Sequence, residues 1–268
     1  MTTDRLTAIS NAFSQHRPAF MPYFSLGFPT YETSLDVIQA CVDNGADLIE
    51  LGMPFSDPLA DGPTIQHSTQ VALQNGVTTA RCLDAVDTLR RRGVTTPLML
   101  MGYVNPLLSY GLDRFAADAA SAGANGLIVP DLPPEEAAVL EAACQQHDLV
   151  LTYLLAPTST FDRIRLVARK ARGFTYLVSV TGVTGARTAL STSLKDFIAR
   201  VRAQVNTPLA VGFGISTPEQ AREVGSLADG VIVGSKLISL VRDSDQPAQT
   251  AAQFTREMLA ALAAPRYI

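Results

Sequence analysis

Residues 208–238 read PLAVGFGISTPEQAREVGSLADGVIVGSKLI, and this stretch contains the unit that decides the fold. An apolar run at 208–212 predicts a strand, and a helical pattern from Pro218 to Val224 follows it after a glycine-bearing turn. A second apolar run at 230–233 predicts another strand, which a second turn, Gly234-Ser235, ends. The stretch therefore alternates strand and helix, as parallel β/α structures do.

The same alternation runs along the whole chain. After a helical pattern at about residues 4 to 15, strand-like runs recur at 20–26, 47–51, 97–101, 126–129, 149–154, 174–179, 208–212 and 230–233. Helical patterns between them include Ser34 to Asp43, Ala80 to Arg91, Leu112 to Ser121, Pro134 to Gln146, Phe161 to Ala171, Leu194 to Gln204 and Pro218 to Val224. Glycines at three helix-to-strand joints, 44–47, 122–125 and 227–230, are expected to act as left-handed helix caps.

Eight such units predict a (β/α)₈ TIM barrel with an extra N-terminal helix, formed as one domain by residues 1–268. The structural alternative is a doubly wound open sheet. That fold normally has fewer strands, and its dinucleotide-binding form needs a Gly-x-Gly-x-x-Gly turn that residues 26–29 lack. The repeat therefore favours the barrel, whose active site is expected at the C-terminal ends of the strands.

Composition excludes several classes of function. The net charge of −4 comes from 21 basic and 25 acidic residues without a basic stripe, which predicts no nucleic-acid partner. No apolar run reaches the ~18 residues of a membrane span and no apolar leader opens the chain, so a cytoplasmic protein is expected. Cys41, Cys82 and Cys144 suit reduced core thiols, and three scattered histidines predict no metal site.

Residues 50–66 read ELGMPFSDPLADGPTIQ: Glu50 is expected at the C-terminal tip of the strand 47–51, and Asp57 and Asp61 follow in the loop. Glu50 is expected in the barrel mouth, walled by the apolar residues Tyr23, Met101 and Leu127. Burial there would raise its pKa and make it a general acid/base, whereas the alternative is a solvated glutamate at a strand end. Asp61 is the candidate for stabilising positive charge on a substrate, while Asp57 lies in an ordinary turn sequence.

Glycine-bearing turns follow the last three strands, at 181–185, 212–216 and 234–235. In a barrel these positions form a phosphate cradle, with backbone N–H donors at Gly214, Gly234 and Ser235. The three lysines all lie in helical patterns, so a Schiff-base aldolase lacks its nucleophile. The reaction class that is left is cofactor-free acid/base chemistry on a phosphorylated substrate. Aromatic residues expected at the barrel mouth, such as Tyr103 and Phe213, would either bind a flat apolar group of the substrate or simply pack in the core.

The chain resembles the alpha subunit of tryptophan synthase over essentially its whole length. The motifs that carry the resemblance are 50–52, 54–66, 182–185, 212–216 and 234–235. The resemblance implies retro-aldol cleavage of indole-3-glycerol phosphate to indole and glyceraldehyde 3-phosphate. It also implies an α₂β₂ heterotetramer in which indole passes to a beta subunit, with pyridoxal phosphate in that subunit and no cofactor in this chain.

The resemblance also assigns roles to individual residues. Glu50 exchanges protons with substrate, Asp61 stabilises the charged indole nitrogen, and Tyr176 supports the catalytic group. The implied substrate-binding residues are Tyr23, Ile65, Met101, Leu127, Thr184 and Phe213; the phosphate-binding residues are Gly185, Gly214, Gly234 and Ser235; the residues facing the beta subunit are Pro54, Asp57 and Asn105. The alternatives are a stand-alone indole-releasing lyase, another phosphosugar isomerase, and a regulatory phosphate-binding barrel without turnover.

Overall fold

The computed structural model describes residues 4–178, 187–212 and 214–263, and for residues 187–192 it describes the backbone only. Within these residues nine parallel strands form one sheet in the order β5-β4-β3-β2-β1-β9-β8-β7-β6. The strands are β1 Ala19–Ser25, β2 Ile49–Gly52, β3 Leu98–Met101, β4 Gly126–Ile128, β5 Val150–Thr152, β6 Leu154–Leu155, β7 Thr175–Val178, β8 Leu209–Gly212 and β9 Gly230–Val233.

The two outer strands of this order, β5 and β6, are halves of one predicted strand. The run at 149–154 is interrupted at Tyr153: β5 pairs with β4, and β6 pairs with β7. The carbonyl of Tyr153 still accepts a 3.0 Å hydrogen bond from the Tyr176 N–H. Eight strand positions therefore run around the barrel, and the predicted fold is confirmed.

Twelve helices lie within the described residues. They are α1 Arg5–Ala12, α2 Tyr31–Asp43, α3 Pro63–Gln74, α4 Thr79–Arg91, α5 Val104–Tyr110, α6 Leu112–Ala122, α7 Ala138–Gln146, α8 Phe161–Lys170, α9 Arg187–Arg202, α10 Pro218–Gly225, α11 Ser235–Arg242 and α12 Pro247–Ala263. The extra N-terminal helix is α1. Pro218 begins α10 as predicted, but Pro134 does not begin α7, because residues 134–137 form turns instead.

Glycine caps two of the three joints as expected. Gly45 and Gly123 have φ angles of 97° and 99°, in the left-handed region where a Cβ atom is strained. The prediction for Gly230 was wrong, because it is the first residue of β9 rather than a cap. A Cβ atom at Gly230 would lie 2.9 Å from Cε1 of Phe13, so close packing requires the glycine there.

The polar residue of each joint has a shared role at the N-terminal end of the barrel. Asp47, Asn125 and Asp229 each accept a hydrogen bond from a neighbouring strand: from the N–H groups of Phe20, Leu98 and Leu209, at 2.8, 3.0 and 2.8 Å. Each also binds an arginine: Arg17, Arg90 and Arg202, at 2.6, 2.7 and 2.9 Å. These side-chain oxygens give hydrogen-bond acceptors to strand N–H groups that have no partner in the sheet.

Within the described residues, none of the helices has the length and apolarity needed to cross a membrane. The same residues contain no group of three or more His, Cys, Asp or Glu side chains that could hold a metal ion. All three cysteines are unpaired and buried, as predicted. The boundary of the domain, residues 1–268, stays a prediction.

Replacing the carboxylate of Asp47, which binds both the Phe20 N–H and Arg17, should destabilise the barrel. Asp47→Ala leaves the Phe20 N–H without its acceptor and Arg17 without its carboxylate. We expect a loss of about 1–3 kcal/mol in the free energy of unfolding, measured by urea denaturation. Asp47→Asn keeps an acceptor oxygen and is the matched control, with a smaller loss. Equal losses for the two variants would contradict the role of the Phe20 hydrogen bond.

Candidate active site

A cavity of about 300 Å³ opens at the C-terminal ends of the strands. Its walls come from β1, β2, β3, β7 and β9, from the loops after β2 and β8, and from the starts of α3 and α11. The lining residues are Tyr23, Glu50, Asp61, Ile65, Met101, Tyr176, Gly214, Ile215, Ser216, Ile232, Gly234, Ser235, Lys236 and Ser239. The site is therefore at the barrel end where the fold predicts it.

Glu50 is the most unusual group in this cavity. It is the second residue of β2 rather than its tip, it is fully buried, and neither of its carboxyl oxygens has a hydrogen-bond partner among the described residues. Burial raises its pKa from the ordinary value of 4.5 to about 8. A carboxyl group in this state holds a proton near neutral pH and can also release it, as a general acid/base requires.

Asp61 lies in a different environment at the edge of the same cavity. It is half-buried, and its Oδ2 accepts a 2.9 Å hydrogen bond from the hydroxyl of Tyr103. Burial raises the pKa of Asp61, while the hydrogen bond from Tyr103 acts against that rise. The same tyrosine oxygen accepts from the N–H of Ala60 at 3.0 Å. Tyr103 thus fixes the loop after β2, a link that connects residues 42 positions apart and that the sequence pattern did not reveal.

Two tyrosines of the cavity occupy space that glycines leave free. A Cβ atom at Gly52 would overlap the hydroxyl of Tyr23, and one at Gly212 would overlap the hydroxyl of Tyr176. Each tyrosine therefore needs a glycine on the neighbouring strand, β2 for Tyr23 and β8 for Tyr176. Burial raises the pKa of both phenols, and negative charge on Glu50 raises it further.

The opposite wall combines backbone donors with one cation. Gly234 precedes α11 without a side-chain cap, so the first N–H groups of this helix remain available to an anion. Gly214 has a φ of 80°, and the neighbouring Ser216 donates its N–H to Oε1 of Gln220 at 2.8 Å. Lys236 lines the cavity beside them. Its place on the wall of the cavity was not predictable from the sequence.

The structure places the remaining candidate residues in three ways. Tyr23, Ile65, Met101 and Tyr176 line the cavity with Gly214, Gly234 and Ser235. Thr184, Gly185 and Phe213 lie outside the described residues. Leu127 is not brought to the cavity: it pairs with Leu100, the neighbour of Met101 that faces the other side of the sheet. Ile128 pairs with Met101 and therefore shares its side of the sheet, but neither Leu127 nor Ile128 is among the residues that line the cavity.

The three residues expected to face a partner lie on the loops and helix around the same barrel end. Pro54 is half-buried, whereas Asp57 and Asn105 are exposed. Beside them two large apolar side chains are open to solvent: Leu59 is 93% exposed and Leu108 is 55% exposed. Apolar groups of this size on a rim suit a protein contact.

Comparison with known proteins identifies the family of this barrel. The family model for the tryptophan synthase alpha chain matches residues 9–264. The chain belongs to the tryptophan synthase alpha chain family. It is 48% identical to the alpha chain of Dehalococcoides mccartyi over 94% of its length and 98% of that protein. It is 51% identical to the alpha chain of Chloroflexus aurantiacus, over 93% of its own length and 94% of that protein.

Solved structures of tryptophan synthase alpha subunits have the same fold. The crystal structure of the subunit from Legionella pneumophila str. Paris superposes with a TM-score of 0.90 at 36% identity, covering 97% of this chain and 98% of that one. As an alpha chain, the protein cleaves indole-3-glycerol phosphate in tryptophan biosynthesis, and its partner is the beta subunit of tryptophan synthase. The function and the enzyme class expected from the sequence are confirmed.

The buried carboxyl group should make stability depend on pH. The folded chain holds the Glu50 proton up to about pH 8, whereas the unfolded chain releases it near the ordinary value of 4.5. Between these values the folded state binds one proton more, so this group lowers stability by about 1.4 kcal/mol for each unit of rising pH. Glu50→Gln removes the titration, so its stability relative to wild type should rise from about pH 5 to about pH 8.

Urea denaturation at several pH values measures this difference. The exposed Glu223, replaced by Gln in the same way, is the control for general effects of removing a charge. A constant difference between Glu50→Gln and wild type across the pH range would contradict a raised pKa for Glu50.

Proposed function

We propose that Glu50 is the general acid/base of the cleavage reaction. The observation that carries the proposal is a fully buried carboxyl group, without a hydrogen-bond partner among the described residues, on the wall of the cavity that Gly214, Gly234 and Ser235 also line. A protonated Glu50 delivers a proton to the indole ring carbon, and its carboxylate accepts the proton of the glycerol hydroxyl. Cleavage of the carbon–carbon bond then releases indole and glyceraldehyde 3-phosphate.

Asp61 has the electrostatic role in this proposal. Protonation of the ring carbon places positive charge on the indole nitrogen, and a carboxylate at the cavity edge stabilises that charge. The hydrogen bond from Tyr103 supports the ionised form of Asp61 and holds its loop. The two carboxyl groups lie in different environments and therefore have different roles: Glu50 exchanges protons and Asp61 stays ionised.

The remaining proposed site residues bind the two ends of the substrate. Tyr23, Ile65 and Met101 line the cavity and provide apolar surface for the indole, while Tyr176 supports the catalytic group. Phe213 and Thr184, which lie outside the described residues, are assigned to the indole as well. The phosphate is held by backbone N–H groups of Gly185, Gly214, Gly234 and Ser235. Lys236 adds a positive charge to this set because it lines the same wall.

The chain itself works without a cofactor in this proposal, and pyridoxal phosphate belongs to the beta subunit. The proton transfers assigned to Glu50 and the charge stabilisation assigned to Asp61 need no further reactive group. A cytoplasmic location agrees with three unpaired, buried cysteines, which suit a reducing compartment. The continuous sheet from β1 to β9 supports one domain over residues 1–268.

The beta subunit contacts the rim formed by the loop after β2 and by α5. Pro54, Asp57 and Asn105 are the proposed contact residues, and the exposed side chains of Leu59 and Leu108 extend the same surface with apolar area. The loop after β2 carries Asp61 together with Pro54, Asp57 and Leu59, whereas Asn105 and Leu108 lie on α5. Binding of the partner therefore acts on the segment that positions a catalytic carboxylate.

Loss of the proton-transfer group should abolish turnover without abolishing binding. Glu50→Gln keeps the size of the side chain but neither delivers nor accepts the required proton, so indole formation should fall by about two to four orders of magnitude. Calorimetric titration of the inactive variant with indole-3-glycerol phosphate should still detect binding. Glu223→Gln is the matched control. Near-normal indole formation by Glu50→Gln would overturn the assignment.

Lys236 should affect affinity for the phosphate rather than chemistry. Lys236→Gln removes a positive charge but keeps the backbone donors, so KM should rise several-fold with little change in kcat, and less strongly at high salt. Steady-state assays of indole formation at two ionic strengths measure this. A large loss of kcat with an unchanged KM would instead place Lys236 in the chemical step and contradict its role in phosphate binding.

A further inference from the structure

Tyr103 joins the loop after β2 to the segment that follows β3. Its side chain is buried. The ring of Phe55 lies against the Tyr103 ring, with their centroids 5.5 Å apart. The Tyr103 hydroxyl oxygen is 3.0 Å from the Ala60 nitrogen and 2.9 Å from Oδ2 of Asp61. One side chain therefore binds the loop after β2 at two places, near its start and beside the candidate carboxylate.

The two hydrogen bonds use the hydroxyl of Tyr103 in both directions. A backbone N–H only donates, so the phenol oxygen is the acceptor toward Ala60. The phenol donates its own proton to Oδ2 of Asp61, because an ionised carboxylate only accepts. The direction of the Asp61 carboxylate therefore depends on where the Tyr103 hydroxyl lies.

Tyr103 is also fixed to the start of α5. It precedes Val104, the first residue of this helix, whose nitrogen lies 3.0 and 3.3 Å from the two carboxyl oxygens of Asp131. On the other side of Tyr103, Met53 of the loop after β2 packs against Gly102, where an added Cβ atom would lie 3.2 Å from the Cβ of Met53. The start of α5 and the loop after β2 therefore meet along residues 102–103, and a displacement of α5 moves Tyr103 with it.

The outer face of α5 carries part of the proposed partner surface. Asn105 and Leu108 are exposed on this helix, whereas Leu107 is buried beneath it. The helix has seven residues, so its outer face and Tyr103 are separated by less than two turns. A partner that binds Asn105 and Leu108 thus holds the helix to which Tyr103 is attached.

We infer that Tyr103 is a positioning residue that carries partner binding at α5 to the carboxylate of Asp61. The inference rests on the proposed role of Asp61 and on the proposed partner surface. When the beta subunit holds α5, the Tyr103 hydroxyl keeps Asp61 in the direction that stabilises positive charge on the indole nitrogen. A contact at Asp57 reaches the loop after β2 directly and does not need this hydroxyl, so the two contacts should depend on Tyr103 differently.

The first part of the test measures indole formation by the complex at saturating beta subunit. Tyr103→Phe removes both hydrogen bonds but keeps the ring, so kcat should fall about tenfold while KM changes little. Added to Asp61→Asn, the same change should cause no further fall. Tyr110→Phe is the matched control, because the hydroxyl of Tyr110 donates to Asp118 rather than to the loop after β2. Its kcat should equal that of wild type.

A double-mutant cycle then separates transmission from local support of the loop. Leu108→Ala removes a partner contact on α5, so it should lower kcat of the saturated complex several-fold in the wild-type background and have no effect in the Tyr103→Phe background. Asp57→Ala should lower kcat by the same factor in both backgrounds.

Three results would overturn the inference: an unchanged kcat in Tyr103→Phe, an effect of Leu108→Ala that is equal in the two backgrounds, or no effect of Leu108→Ala in either. Normal turnover by Asp61→Asn would overturn the proposed role of Asp61 instead, so the two failures are distinguishable.

Discussion

Glu50 is a carboxyl group that the barrel buries completely without giving either oxygen a partner among the described residues. Such a group stays neutral over much of the physiological pH range, because ionising it in an apolar interior costs more than holding its proton. The surrounding residues maintain that condition: β2 is paired on both sides, and the neighbouring β1 and β3 contribute Tyr23 and Met101 to the same cavity. The arrangement lowers stability at neutral pH and produces a proton donor in return.

The rest of the molecule supports this group through rigid parts. Polar residues at the opposite end of the barrel, Asp47, Asn125 and Asp229, tie neighbouring strands and arginines together. Glycines at the catalytic end leave room for two tyrosines. Tyr103 holds the loop after β2 by one hydroxyl that contacts both Ala60 and Asp61. The proposed acid/base on the strand and the proposed partner contacts on the loop therefore both lie within residues 50–66.

Much of the fold was predictable because the strand-like apolar run repeats eight times along the chain, with helical patterns between the runs. Other features had no local signature. The sequence pattern did not predict helix α3. Gly62, which precedes this helix, has no side chain to cap it, and two buried positions of the helix, Ser68 and Thr69, are polar. Residues 127–129 are apolar on both sides of the sheet, so alternation did not distinguish Leu127 from Ile128; only the pairing with β3 did. The link between Tyr103 and Asp61, the place of Lys236 on the cavity wall and the contact between Ser25 and Ser68 all depend on distant residues brought together by the barrel.

The most direct test of this account is the titration of Glu50 itself. Protein labelled with ¹³C at the glutamate side-chain carboxyl carbon gives one resonance that is absent in Glu50→Gln, and its chemical shift can be followed against pH by NMR. The account predicts that this carboxyl group is protonated at neutral pH and titrates near the value of about 8 that burial sets. A midpoint near the ordinary value of 4.5 would contradict it.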